Sequence, residues 1–112
     1  MDMDMDIYVD YSWQESVIDY IRIQGDGYCA LLKGPKGCGK SHLVYLDPDI
    51  IFIEEDNLYN TEKEIIQTLM YISKKSNSKI ILICNDAQHT QFKETDLNVV
   101  YFNNNDIILE EL

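Results

Sequence analysis

The sequence predicts an α/β fold, a three-layer sandwich whose reduced, mainly parallel sheet of four strands is covered by helices. Three observations predict it. Uninterrupted apolar runs recur at Tyr28 to Lys33, Ile50 to Ile53 and Lys79 to Cys84, as strands buried on both faces require. Segments of helical periodicity alternate with them, the arrangement that builds parallel sheets. A glycine-rich loop follows the first run directly, at a strand-to-helix junction.

The elements follow in order. "SWQESVIDYIRI" reads as a helix, with Ser12 as cap, Glu15 completing a capping box, and Trp13, Val17, Ile18 and Ile21 on one face. "QGDG" ends it, and "YCALLK" is the first strand. The helix after the glycine loop must be brief, because Asp47-Pro48-Asp49 stops it. "IIFI" is the second strand and ends in Glu54, Glu55 and Asp56. Thr61 and Glu64 form a second capping box before "EIIQTLMYISKK", whose Ile65, Ile66, Leu69, Met70 and Ile72 make a helix face. "KIILIC" is the third strand, followed by Asn85 and Asp86, and "NVVYF" the fourth. "NNNDIILEEL" reads as the start of a further helix.

With 112 residues the chain is one domain with a single core, too short for a multi-layer enzyme with a lid. Residues 1–6, "MDMDMD", read as a flexible acidic extension. They have neither the basic nor the apolar region of a signal peptide. No apolar run approaches the roughly 20 residues of a membrane span. Twenty acids against nine bases leave a net charge of −11, which disfavours direct nucleic-acid binding, since that draws on Lys and Arg to neutralise phosphates. Cys29, Cys38 and Cys84 form no CxxC pair, and with His42 and His89 they offer no zinc-ligand spacing. Reduced thiols and a cytoplasmic setting are the expectation.

Gly34-Pro35-Lys36-Gly37-Cys38-Gly39-Lys40-Ser41 satisfies GxxxxGK[ST]. Glycines let the backbone curl so that successive N–H groups face a phosphate. A following helix adds its positive end. Lys40 supplies a charge for the β- and γ-phosphates, and Ser41 a hydroxyl for magnesium. Such a site also needs a carboxylate at a neighbouring strand end. Glu54 stands there as the metal partner, with Glu55 placed to polarise an attacking water; a register using Glu55 and Asp56 is the alternative. Asn85, at the tip of the next strand, can bond the γ-phosphate or the attacking water; an Asn-Asp turn is the plainer reading.

"YCALLKGPKGCGKSHL", followed by "IIFIEEDNLYNTEKEIIQTLMYISKKSNSKIILICND", resembles the nucleotide-binding core of the DnaA/Hda family of AAA+ P-loop NTPases. "GKSHL", with His42 after the loop, and the aromatic segment "IYVDYSWQESVIDYI" carry the resemblance. It implies Gly34, Gly37, Gly39, Lys40 and Ser41 as Walker A, Glu54 and Glu55 as Walker B, and Asn85 as sensor 1. It further implies ATP or ADP with Mg2+, a sheet ordered 5-1-4-3 in the family's strand numbering, and a DnaA-type AAA+ initiator as protein partner. Two departures stand out. The chain between Lys40 and Glu54 is too short for the strand and helices the family places there. The lone arginine, Arg22, matches neither the arginine finger nor the lid arginine, and a missing finger costs about 10³–10⁵ in rate in related GTPases.

Three functions compete. One is a nucleotide-dependent regulator of replication initiation acting through protein contacts, with weak or no hydrolysis alone. The second is a small autonomous ATPase or phosphotransferase. The third is a degenerate P-loop protein that only binds partners.

Overall fold

The computed structural model describes residues 10–55, 62–84 and 98–112. Asp56, Thr61, Asn85 and Asp86, with the roles read for them, lie outside the described residues, as does the acidic extension.

Helix α1 (Ser12–Arg22) buries Val17, Ile18 and Ile21. Ser12 does not cap it; the Asp10 carboxylate accepts the Ser12 N–H at 2.9 Å instead. That bond lowers the Asp10 pKa, because it favours the charged form. A chain reversal at Gly25–Tyr28, with Gly27 at φ +82°, leads into β1 (Cys29–Lys33). After the glycine loop comes a six-residue 3-10 helix (Lys40–Tyr45), then β2 (Ile50–Glu55). Helix α2 (Glu62–Ser76) ends with Asn77 at φ +53° and the Ser78 N–H donating to the Ser73 carbonyl at 3.0 Å. That is a Schellman motif with asparagine in the left-handed position. Strands β3 (Lys79–Cys84), β4 (Val99–Phe102) and β5 (Ile107–Glu111) follow.

The sheet has five strands in the order β2-β3-β1-β5-β4. Strands β2, β3 and β1 are parallel, while β5 runs antiparallel to both β1 and β4. The expected sheet of four strands, 5-1-4-3, is thereby corrected. β5 lies beside β1, and "NVVYF" is displaced to the edge. The segment read as a starting helix is this strand. Ile107, Ile108 and Leu109 are 0%, 3% and 1% exposed, a run buried on both faces that a single helix stripe cannot bury. Asn103, Asn104 and Asn105 all have positive φ and form the hairpin between Phe102 and Ile107. Asparagine is among the few residues that tolerate that conformation.

Two apolar layers flank the sheet. On one face α1 and the 3-10 helix pack over Ala30, Leu32, Ile50, Ile81, Ile83, Ile107 and Leu109, with Tyr20 edge-on to Phe102. On the other, Leu69 of α2 packs over Cys29, Leu31, Ile80, Leu82 and Cys84. Burial pushes the Tyr28 phenol and the Cys29 thiol above their ordinary pKa values. Among the described residues no helix is long and apolar enough to cross a membrane.

Candidate phosphate-binding loop

Strands β1, β2 and β3 end level with one another: Lys33 pairs with Cys84, and Cys84 with Glu55. The glycine loop leaves this edge from Lys33, whose ammonium stands 3.7 Å from Glu110 of β5. The turn Pro35–Cys38 is closed by the Cys38 N–H donating to the Pro35 carbonyl at 3.4 Å. Gly37 sits at its third position with φ +82°, where a type II turn demands glycine or asparagine. Gly39 follows at φ +102°. Gly34 is required for a different reason. A Cβ there would lie 2.7 Å from Ile107 Cδ1, so β5 crosses directly beneath the start of the loop.

Lys40 is only 3% exposed. Its Nζ donates to the carbonyls of Gly34 at 3.0 Å and Pro35 at 2.7 Å, with Cys38 Sγ at 3.6 Å. Two charge-assisted bonds offset the desolvation of the ammonium. The third proton faces a sulfur, a weak acceptor that an anionic oxygen would displace. Among the described residues, no acceptor is bonded to the N–H of Gly37, Gly39, Lys40 or Ser41. The loop therefore offers backbone donors and a lysine held inside its own ring, the chemistry of an anion cradle. A helix end adds little to it. The segment after the loop is a short 3-10 helix, held to that length by the Asp47-Pro48-Asp49 turn.

The remaining sequence-predicted residues fall at several places. Pro35 is half-buried, Lys36, Ser41 and His42 are exposed, and His42 meets the Tyr11 ring edge-on at 5.7 Å. The Ser41 hydroxyl has no partner among the described residues. Glu54 is exposed near the end of β2, separated from β1 by β3. By pleat alternation it lies on the face of Ile50 and Phe52, which pack into the layer under α1 and the 3-10 helix. Among the described residues, no cluster of three or more His, Cys, Asp or Glu gathers to hold a metal unaided. A phosphate-borne magnesium asks for less, one or two oxygen ligands besides water, and Ser41 and Glu54 fit that requirement by type.

Two further residues line the loop without belonging to the motif. Ile107 stands in β5 rather than in the expected helix. Gln14 shares the i, i+3, i+4, i+7 stripe of Val17, Ile18 and Ile21, where a polar residue is out of place. It is 3% exposed and its Nε2 donates to the Gly39 carbonyl at 3.4 Å. Arg22 lies far from the loop, in an ion pair with Asp47 near the opposite ends of the parallel strands.

No protein-family model, curated protein or solved structure matches this chain.

Proposed function

We propose that Gly34 to Ser41 holds the phosphates of ATP or ADP with Mg2+. On this reading the chain is a nucleotide-dependent regulator of the DnaA/Hda type, acting through contact with an AAA+ initiator. One observation carries the nucleotide reading: among the described residues, four loop N–H groups have no acceptor, and the buried Lys40 keeps one proton on a displaceable partner. Lys40 and the backbone of Gly37, Gly39, Lys40 and Ser41 bind the phosphates. Ser41 and Glu54 would hold the magnesium, which neutralises phosphate charge when bound. Glu55 and Asn85 keep the roles the sequence suggests, orienting water at the γ-phosphate. The single arginine is engaged with Asp47, so nothing on the described chain supplies the planar, bidentate charge that stabilises phosphoryl transfer. Hydrolysis by the chain alone is accordingly weak.

Equilibrium titration with fluorescent ATP and ADP tests binding, with Lys40→Ala as control. Affinity lost in the variant supports the reading, and absence of binding at millimolar nucleotide rejects it. Phosphate release by the isolated chain separates holder from enzyme. A rate that exceeds background and depends on Lys40 would favour the autonomous ATPase. Nucleotide-dependent capture of a DnaA-type AAA+ domain tests the partner, and equal capture with and without nucleotide would remove the regulatory part.

A further inference from the structure

Gln14 reaches from the first turns of α1 to the underside of the glycine loop. It is buried, and its two amide ends are used unequally. Nε2 donates to the Gly39 carbonyl at 3.4 Å, while Oε1 is buried with no hydrogen-bond partner among the described residues. The reverse orientation would set one oxygen against another, so only this placement of the amide is attractive. The contact is also close. A Cβ on Gly39 would meet Nε2 at 2.9 Å. The Gly39 carbonyl takes a second donor, the His42 N–H at 3.3 Å.

The peptide joining Gly39 to Lys40 is trans, as all are in the described chain, so its C=O and N–H point in opposite directions. Fixing the Gly39 carbonyl toward the buried Gln14 turns the Lys40 N–H the other way, away from Gln14. We propose that Gln14 is a positioning residue of the phosphate loop: its Nε2 sets the Gly39–Lys40 peptide so that the Lys40 N–H faces the anion. The unpartnered Oε1 separates this role from simple stabilisation. A buried acceptor without a donor is a liability to the fold, and methionine would fill the same space without it. The inference rests on the nucleotide reading of the loop for its ligand, and on Gln14 and Gly39 alone for its geometry.

The test uses the isotope-labelled full chain and its Gln14→Met and Gln14→Glu variants. In ligand-free protein, both substitutions are expected to move the Gly39 carbonyl carbon and Lys40 amide resonances, with the Gln14→Met melting temperature unchanged or raised. Titration with Mg-ATP, and separately with inorganic pyrophosphate, is then expected to show affinity at least tenfold weaker for Gln14→Met. Gln14→Glu, whose carboxylate repels the Gly39 carbonyl, is expected to be weaker still. Wild-type affinity in a folded Gln14→Met protein would overturn the proposal and leave the nucleotide site standing. A fall in melting temperature with resonances and affinity unchanged would make Gln14 structural only. If the wild type binds neither probe, the site reading falls, and the positioning role with it.

Discussion

Arg22 Nε donates to Asp47 Oδ2 at 2.8 Å, joining the last turn of α1 to the turn that precedes β2. Asp47 is buried, and its other oxygen accepts the Asp49 N–H at 2.9 Å. The Arg22 bond, followed by the Asp49 bond, holds the Asp47 carboxyl below its ordinary pKa, against burial, which raises it. A depressed carboxylate contributes stability that is present above the unfolded value, about 3.9. That stability is lost as pH falls through the lower folded value. Asp47→Asn is therefore expected to be less stable than wild type from pH 7 to pH 5. The gap should narrow below about pH 4. Thermal unfolding of both proteins across that range measures it, and a gap constant down to pH 2 would contradict the assignment.

The start of the loop is coupled to β5. Gly34→Ala forces a methyl against Ile107 Cδ1, and Ile107 is fully buried. Overpacking of this kind costs about 1–3 kcal/mol. Ile107→Val removes the opposing methyl at a cost of about 0.5–1.5 kcal/mol. The double variant should then be more stable than the sum of the two losses predicts. Urea unfolding of the four proteins completes the cycle, and strict additivity would mean the loop has moved away.

Lys40 serves the fold as well as the proposed nucleotide site. Lys40→Met leaves the Gly34 and Pro35 carbonyls without the donor they have now, a loss of about 1–3 kcal/mol. By contrast, Cys38→Ala removes only the weak sulfur contact. At the proposed site it should alter nucleotide affinity far less than Lys40→Ala does, because sulfur is only a weak acceptor. Chemical denaturation of the first variant and nucleotide titration of the second check these outcomes.

The β4–β5 turn places Asn104 at φ +57° between two residues of the same kind. Alanine in that conformation costs about 1–2 kcal/mol, so Asn104→Ala should lower the melting temperature by several degrees. Asn104→Gly, which meets no Cβ penalty, should stay near wild type. Scanning calorimetry distinguishes the two.

Strand β2 pairs only with β3 among the described residues, and its Ile51 and Ile53 are exposed. Such an edge is open to pairing with another chain. Ile53→Lys should change stability within about 0.5 kcal/mol and reduce light scattering when the protein is heated. Unchanged scattering would mean that aggregation starts elsewhere.

The three parallel strands were legible because each is a short apolar run bounded by turn or polar residues. "KIILIC" matches β3 from end to end, and α1 and α2 followed from their apolar stripes. The last strand was not legible. A short run such as "IILEE" fits a helix or a strand equally by periodicity. What decides is a tertiary fact, the place beside β1 that has to be filled. Within the loop, the motif showed which residues curl and why. It could not show Ile107 beneath Gly34 or Gln14 beneath Gly39, because those approaches arise from segments distant in sequence. The cap of α1 departs from the capping-box expectation for a local reason, since Asp10 reaches the first helical N–H and leaves Ser12 inside the helix.

Strand β1 delivers the loop, and neither of its neighbours adjoins it in sequence. β3 comes well after it, and β5, whose Glu111 pairs with Ala30, comes later still. A chain synthesised only as far as Phe102 would already contain every residue of the glycine motif. It would lack Ile107 beneath Gly34 and the ladder that holds one side of β1. If the loop holds nucleotide as proposed, ribosome-bound intermediates of that length should carry the complete motif and fail to bind, so competence would arrive in one late step when β5 docks.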